Sequence, residues 1–140
     1  MDPSVRLADV YRVKEAPRIL YRLLAERPAR VNISHRKMPG WRKHLAFIRS
    51  RPYKAWYLIR VSGGACVGSI YLSKNDEIGA FIFKEHQKKG YGRIAVDLLM
   101  KRHRAVKRFL ANINPKNGAS IRFFKNLKFG HIQNTYEFMR

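Results

Sequence analysis

Apolar residues recur along this chain with two periods, and the switches between them divide it into elements. From Val5 to about Val13 apolar and polar residues mix as in a first strand. Pro17 opens a stretch whose Ile19, Leu20, Leu23 and Leu24 share one helical face, and Pro28 stops it. A short extended piece over 31–35 leads to Pro39. Between Pro39 and Arg51, the positions of Trp41, Leu45, Phe47 and Ile48 predict a second helix, with Pro52 beyond its end. Residues 55–61 are rich in aromatic and branched side chains and predict a strand. Ser62, Gly63 and Gly64 turn the chain, and 66–72 returns as the partner strand of a hairpin. Lys74, Asn75 and Asp76 turn it again into a strand over 77–83, completing an antiparallel meander.

A helix starting near Gly90 comes next, followed by the basic run Lys101 to Arg104 and a short buried strand over 109–113. After a loop, Asn117 caps a helix over 119–127, and Phe129 to about Phe138 predicts a closing strand. The order is mixed α+β. Strands 77–83 and 109–113, joined by a helical crossover, pair in parallel in an otherwise antiparallel sheet.

At 140 residues the chain is expected to form a single domain spanning 1–140, and its 46% apolar content argues against disorder. Lys and Arg total 30 against 9 acidic residues, a net charge of +21. That field attracts anions, whether nucleic acid or a phosphorylated small molecule, and fixes only the sign of the partner. Cys66 is the sole cysteine, so no intrachain disulfide forms and a multi-cysteine zinc site is excluded. In its apolar surroundings it reads as a structural thiol. The five histidines show no metal-ligand spacing, so no metal site is expected. The N-terminus lacks the features of a signal peptide and no apolar run is long enough for a membrane span, so the expected location is the cytoplasm.

The stretch 77–100 carries the most chemistry: a strand, a basic turn with Gly90 and Gly92, then an amphipathic helix. Glycines at a helix entrance admit a ligand close to the backbone, and the first helical N–H groups have no intrahelical partner. Such a turn can cradle phosphate, with Lys88, Lys89 and Arg93 adding full charges. A tight strand-to-helix turn needs small residues in any case, so the glycines alone do not decide the matter.

Gln87-Lys88-Lys89-Gly90-Tyr91-Gly92 resembles the Gln/Arg-x-x-Gly-x-Gly/Ala signature of the GCN5-related N-acetyltransferases. Asn117 through Phe129, with Ser120, Leu127 and Phe129 in register, resembles the Asn-x-x-Ser…Leu-Gly-Phe segment near that family's C-terminus. With the preceding strand, the resemblance covers roughly 55–138 and implies a splayed mixed sheet flanked by helices. It further implies acetyl-CoA as cosubstrate, with transfer of its acetyl group to a primary amine by direct attack. The pyrophosphate would lie on backbone amides from Lys88 to Arg93, next to Gln87 and with Tyr91 inside the turn. The pantetheine would pair with backbone groups of Phe81, Ile82 and Phe83. Asn117 and Ser120 would contact the pantetheine, and Lys125 the adenosine phosphates; Asn117 also reads as a plain helix cap.

Direct attack needs a base to hold the amine neutral and often an acid for the leaving thiolate. The position that often holds a tyrosine acid is Phe124 here, which leaves Tyr136 and Tyr91 as replacements, each of which also reads as core packing. Glu77 is the first candidate base, against the plainer role of an ion-pair partner. His35 and His44, in the segment where the family forms its acceptor wall, are the next candidates. The 31–48 segment loosely resembles that of nucleotide-linked amino-sugar acetyltransferases, and an anionic acceptor suits the charge, whereas polyamines do not. Rival readings are an acyltransferase acting on nucleic acid or aminoacyl-tRNA, and an inactive module that binds coenzyme A or polyanions. Monomer and homodimer are both compatible with the chain, and no membrane partner is expected.

Overall fold

The computed structural model describes residues 4–26 and 38–140. The elements are β1 (Arg6–Asp9), a 3-10 turn (Val10–Arg12), α1 (Ala16–Glu26), α2 (Trp41–Arg49), β2 (Ala55–Arg60), β3 (Cys66–Leu72), β4 (Ile78–Ile82), a second 3-10 turn (Lys84–His86), α3 (Tyr91–Arg102) and α4 (Gly118–Asn126). The extended piece at 31–35 and the candidate base His35 lie outside the described residues.

The strands pair antiparallel in the order β1-β2-β3-β4. Because side chains alternate, Tyr57, Ile59, Ile70 and Leu72 face one way with Leu7, and Ala95, Val96 and Leu99 of α3 close over them. Trp56 and Leu58 face the other way, onto Val10, Ala16, Leu20 and Ile48. Both faces of β2 are therefore covered, which is why it reads as a near-continuous apolar run. Phe123, Leu127 and Phe129 bring α4 and the chain after it onto the α3 side. Cys66 opens β3 half-buried and donates its thiol to the Gly68 carbonyl at 3.3 Å, and burial raises its pKa.

The α1–α2 layer is held by polar contacts that the apolar pattern does not announce. His44 is buried, and its Nε2–H donates to the Pro17 carbonyl at 2.9 Å. The Tyr21 ring lies 4.9 Å from His44 and 5.2 Å from Trp41. His44 is thus a bolt between two helices. Trp41 and Phe47, expected on the apolar face of α2, are partly exposed, and His44 and Ile48 are its buried residues.

Two expected strands differ. The 109–113 segment makes only an isolated parallel bridge, Glu77 to Leu110. The closing strand over 129–138 is absent, and Ile132, Tyr136 and Phe138 are 62%, 89% and 85% exposed. The alternation of Ile132, Tyr136 and Phe138 supplies an apolar face. A strand also needs an edge to receive its hydrogen bonds, and none is paired with it among the described residues.

At the end of α3, His103 Nε2 lies 2.8 Å from the Tyr57 hydroxyl. Burial, with repulsion from Lys54 and Arg102, lowers its pKa below the ordinary 6.5. The folded state therefore resists the proton that the unfolded chain accepts, so stability falls as pH drops below about 6.5 until the folded imidazole is also charged. Replacing His103 with Gln is expected to flatten the fall of the urea midpoint between about pH 7 and pH 5.

Candidate functional site

The site begins where the sheet stops pairing. Ile78 N–H donates to the Leu110 carbonyl at 2.7 Å and Leu110 N–H to the Asp76 carbonyl at 2.9 Å. Beyond that bridge, β4 has no further backbone partner on this side among the described residues. Main-chain direction alternates along an antiparallel strand. Ser73 N–H donates to the Glu77 carbonyl at 2.8 Å and Phe83 N–H to the Val67 carbonyl at 2.9 Å, so the odd-numbered residues point their polar groups at β3. Ala80 and Ile82 point theirs at the open edge. The main-chain groups of Phe81, expected to meet the pantetheine, are instead turned toward β3, and those of Phe83 are taken by Val67 and by the His86 N–H of the following turn. The Ile82 carbonyl already accepts from Gln87 Nε2 at 3.0 Å, so Gln87 folds back on the strand end.

Past the second 3-10 turn the backbone enters the left-handed region at Lys88 (φ 63°) and Gly90 (φ 84°). Ile94 N–H to the Gly90 carbonyl, 3.2 Å, is the first bond of α3, which leaves the N–H groups of Tyr91, Gly92 and Arg93 without helical acceptors. No side chain caps them and no acid stands in the first turn. A Cβ built on Gly90 would meet nothing within 4 Å, so the space in front of the turn is open. Lys88, Lys89 and Arg93 are exposed around it. A Cβ on Gly92 would stand 3.3 Å from the Phe123 ring, so that glycine lets α4 approach the head of α3. These donors, charges and space suit a diphosphate.

α4 brings the second motif alongside. Asn117 Oδ1 accepts the Ser120 N–H at 3.1 Å, a true cap that leaves the Asn117 Nδ2 donors and the Ser120 hydroxyl for other work. Phe124 is buried, its ring 5.1 Å from those of Phe123 and Phe129, and offers no proton. Lys125 is exposed on the last turn.

At the opposite end of β4 lies a cavity of about 140 Å³ lined by Tyr53, Tyr71, Ser73, Glu77, Ile78 and Asn112. Ser73 Oγ donates to Glu77 Oε1 at 3.0 Å and accepts the Glu77 N–H at 2.9 Å, while Asn112 Nδ2 donates to Oε2. The donors that hold the carboxylate are neutral, and it joins none of the ion pairs of the described residues. Tyr71 stacks on Tyr53, centroids 3.9 Å apart and 6° from parallel, and lies across Gly79, where a Cβ would fall 2.2 Å from its ring. Tyr53, Tyr71, Ser73 and Asn112 were not anticipated; the one local signal was a glycine in mid-strand. Tyr136 does not line this cavity, and Tyr91 heads α3 with its ring 6.4 Å from His86.

Comparison with known proteins gives one family and many shared folds. A family model described as "Acetyltransferase (GNAT) family" matches residues 18–129. Among solved structures, a domain from Methanocaldococcus jannaschii superposes with a TM-score of 0.81 at 21% identity, covering 97% of this chain and 94% of that one. The Salmonella typhimurium protein yncA, solved with its cofactor acetyl-CoA, gives 0.64 at 19% identity over 91% of this chain and 79% of its own. Spermidine N-acetyltransferase from Vibrio cholerae, in complex with CoA and spermine, gives 0.72 at 11% identity over 87% and 78%. No protein of curated function matches the sequence.

The contact between Gly79 and Tyr71 makes a measurable coupling. Gly79→Ala is expected to cost about 1–3 kcal/mol by overpacking, and most of that cost should vanish when Tyr71 is already Ala. A urea double-mutant cycle showing additive effects would remove this close approach from the architecture of the cavity.

Proposed function

The chain belongs to the GNAT acetyltransferase family, and from that premise we propose that it transfers the acetyl group of acetyl-CoA to a primary amine presented beside Glu77. The reading rests on one observation above all. A single strand with an open edge carries an oriented carboxylate just before its first residue, and an anion-ready helix head follows its last. Five strand residues span roughly 16 Å, a length suited to an extended pantetheine arm.

In this reading the N–H groups of Tyr91, Gly92 and Arg93 hold the diphosphate, with Lys88 and Lys89 adding charge. Ala80 and the Ile82 N–H offer the arm its main-chain partners, and Asn117, Ser120 and Lys125 flank it from α4. Acetyl-CoA supplies the activated thioester. Glu77, aligned by Ser73 and Asn112, takes the proton of the incoming amine, directly or through a water. Phe124 has no proton for the departing thiolate, and Tyr71, laid across Gly79 in the same cavity, is the hydroxyl best placed to give one.

For the acceptor, the +21 field favours an anionic or neutral amine, such as a nucleotide-linked amino sugar, over a polycation. The Vibrio cholerae neighbour is seen with spermine, so polyamines belong in the same assay. A panel read by release of the coenzyme A thiol, spanning amino sugars, sugar nucleotides, peptides, polyamines and nucleic acids, decides between them.

Glu77→Gln should lower kcat by about 10²–10⁴ while leaving coenzyme A affinity unchanged; an unaltered kcat removes Glu77 as the base. Gly90→Ala forces a Cβ into the left-handed region at a cost of about 1–2 kcal/mol. The free turn relieves that strain by leaving the conformation that presents its amides, and binding must restore it. Calorimetry should therefore show coenzyme A binding weakened by up to the same amount, roughly fivefold to thirtyfold. Equal affinity in wild type and Gly90→Ala would put the diphosphate elsewhere.

A further inference from the structure

A second cavity, of about 300 Å³, opens on the α1–α2 layer between the first 3-10 turn, the head of α1 and the end of α2. Strand order places β1 and β4 at opposite edges of the sheet, three spacings or roughly 14 Å apart, so this cavity is separate from the β4 edge and the glycine turn. Its floor is aliphatic, with Val10 and Ile48, and its rim carries Lys14, Arg49 and Arg51.

The rim is built rather than merely charged. Arg51 sits at φ 51° with its N–H bonded to the Ile48 carbonyl at 3.1 Å. Its guanidinium lies 4.1 Å over the Tyr11 ring, and the Tyr11 hydroxyl donates to that same carbonyl at 2.7 Å. Tyr11 is therefore pinned beneath the guanidinium, and Arg51 is an exposed residue. None of Lys14, Arg49 and Arg51 takes part in the ion pairs of the described residues. Asp9, close enough to be felt by Tyr11, has its carboxylate turned to the Tyr11 N–H at 2.9 Å. The positive head of α1 and the negative end of α2 meet here and oppose each other, so the three full charges set the potential. Complementing the end of α2 would account for Arg49 and Arg51 as charges; it does not account for Lys14, or for a guanidinium held 4.1 Å from the centre of a pinned ring.

We propose that this cavity binds a nucleotide unit, with phosphate oxygens on Lys14, Arg49 and Arg51 and a base against the outer face of the Arg51 guanidinium. Flat bases stack on arginine planes, and the forked donors of the same group suit phosphate. The unit comes from a free nucleotide or from a single-stranded nucleic acid.

The test titrates AMP and a labelled uridine hexamer RNA into wild type, Arg49→Gln/Arg51→Gln, Lys14→Gln and Lys88→Gln/Lys89→Gln, with thermal melts confirming that each variant folds. Arg49→Gln/Arg51→Gln and Lys14→Gln should each weaken one binding phase, the double variant at least tenfold, and that phase should persist in Lys88→Gln/Lys89→Gln, which alters only phosphate binding at the glycine turn. Three phosphate contacts predict a loss of roughly twentyfold for the hexamer between about 50 and 200 mM salt. A hexamer bound much more tightly than AMP identifies a strand as the source; equal affinities identify the free nucleotide. The proposal falls if wild type binds neither probe. It also falls if binding survives Arg49→Gln/Arg51→Gln and is lost in Lys88→Gln/Lys89→Gln.

Discussion

A single parallel bridge between the chain before β4 and Leu110 determines where this sheet opens. An unpaired strand edge is a liability, because its donors and acceptors invite another strand. Here the pairing stops after one bridge, so the exposed main chain begins at Ala80, within the strand rather than at its fraying end. The exposure is partly managed from within: Gln87 folds back to satisfy the Ile82 carbonyl. What stays open is a short run of groups leading from the glycine turn toward Glu77. In the proposed reading, this edge is the line along which an extended acyl donor would be held toward Glu77.

The rest of the architecture serves that line through missing side chains as much as through present ones. Gly92 admits Phe123 and so sets α4 beside the helix head; Gly79 admits the Tyr71 ring and so gives the Glu77 cavity its wall. A Cβ at Gly79 would overlap the Tyr71 ring outright, one at Gly92 would crowd Phe123 more mildly, and the Gly92 contact joins elements far apart in sequence. The Glu26 carboxylate accepts the Lys84 N–H at 2.9 Å, which ties the end of α1 to the chain leaving β4.

What could be read from the sequence was whatever short-range pattern determines. The amphipathic face of α1, the extent of α2, the hairpin of β2 and β3, and the glycine turn into α3 all depend on local spacing and stand where the spacing put them, although α2 buries His44 with Ile48 and leaves Trp41 and Phe47 exposed. The segments 109–113 and 129–138 had equally good alternation, but alternation says which side chains would be buried, not whether an edge awaits the backbone. Which residues of β4 face outward was hidden for the same reason: the parity is set by the Ser73–Glu77 hydrogen bond, one register choice with no compositional trace. His44 looked like a base because of its residue type, yet the Pro17 carbonyl claims its proton. Glu77 was legible as one of few carboxylates, whereas its supports Ser73 and Asn112 come from either side of the sheet opening and meet only in three dimensions.

The lone cysteine has a practical consequence. The Cys66 thiol is half-buried, hydrogen-bonded to a carbonyl, and shifted by burial toward its protonated form. Near neutral pH the protein therefore holds little reactive thiolate. Sulfhydryl dyes added to a reaction mixture will report almost entirely on the liberated coenzyme, with the polypeptide itself a quiet background.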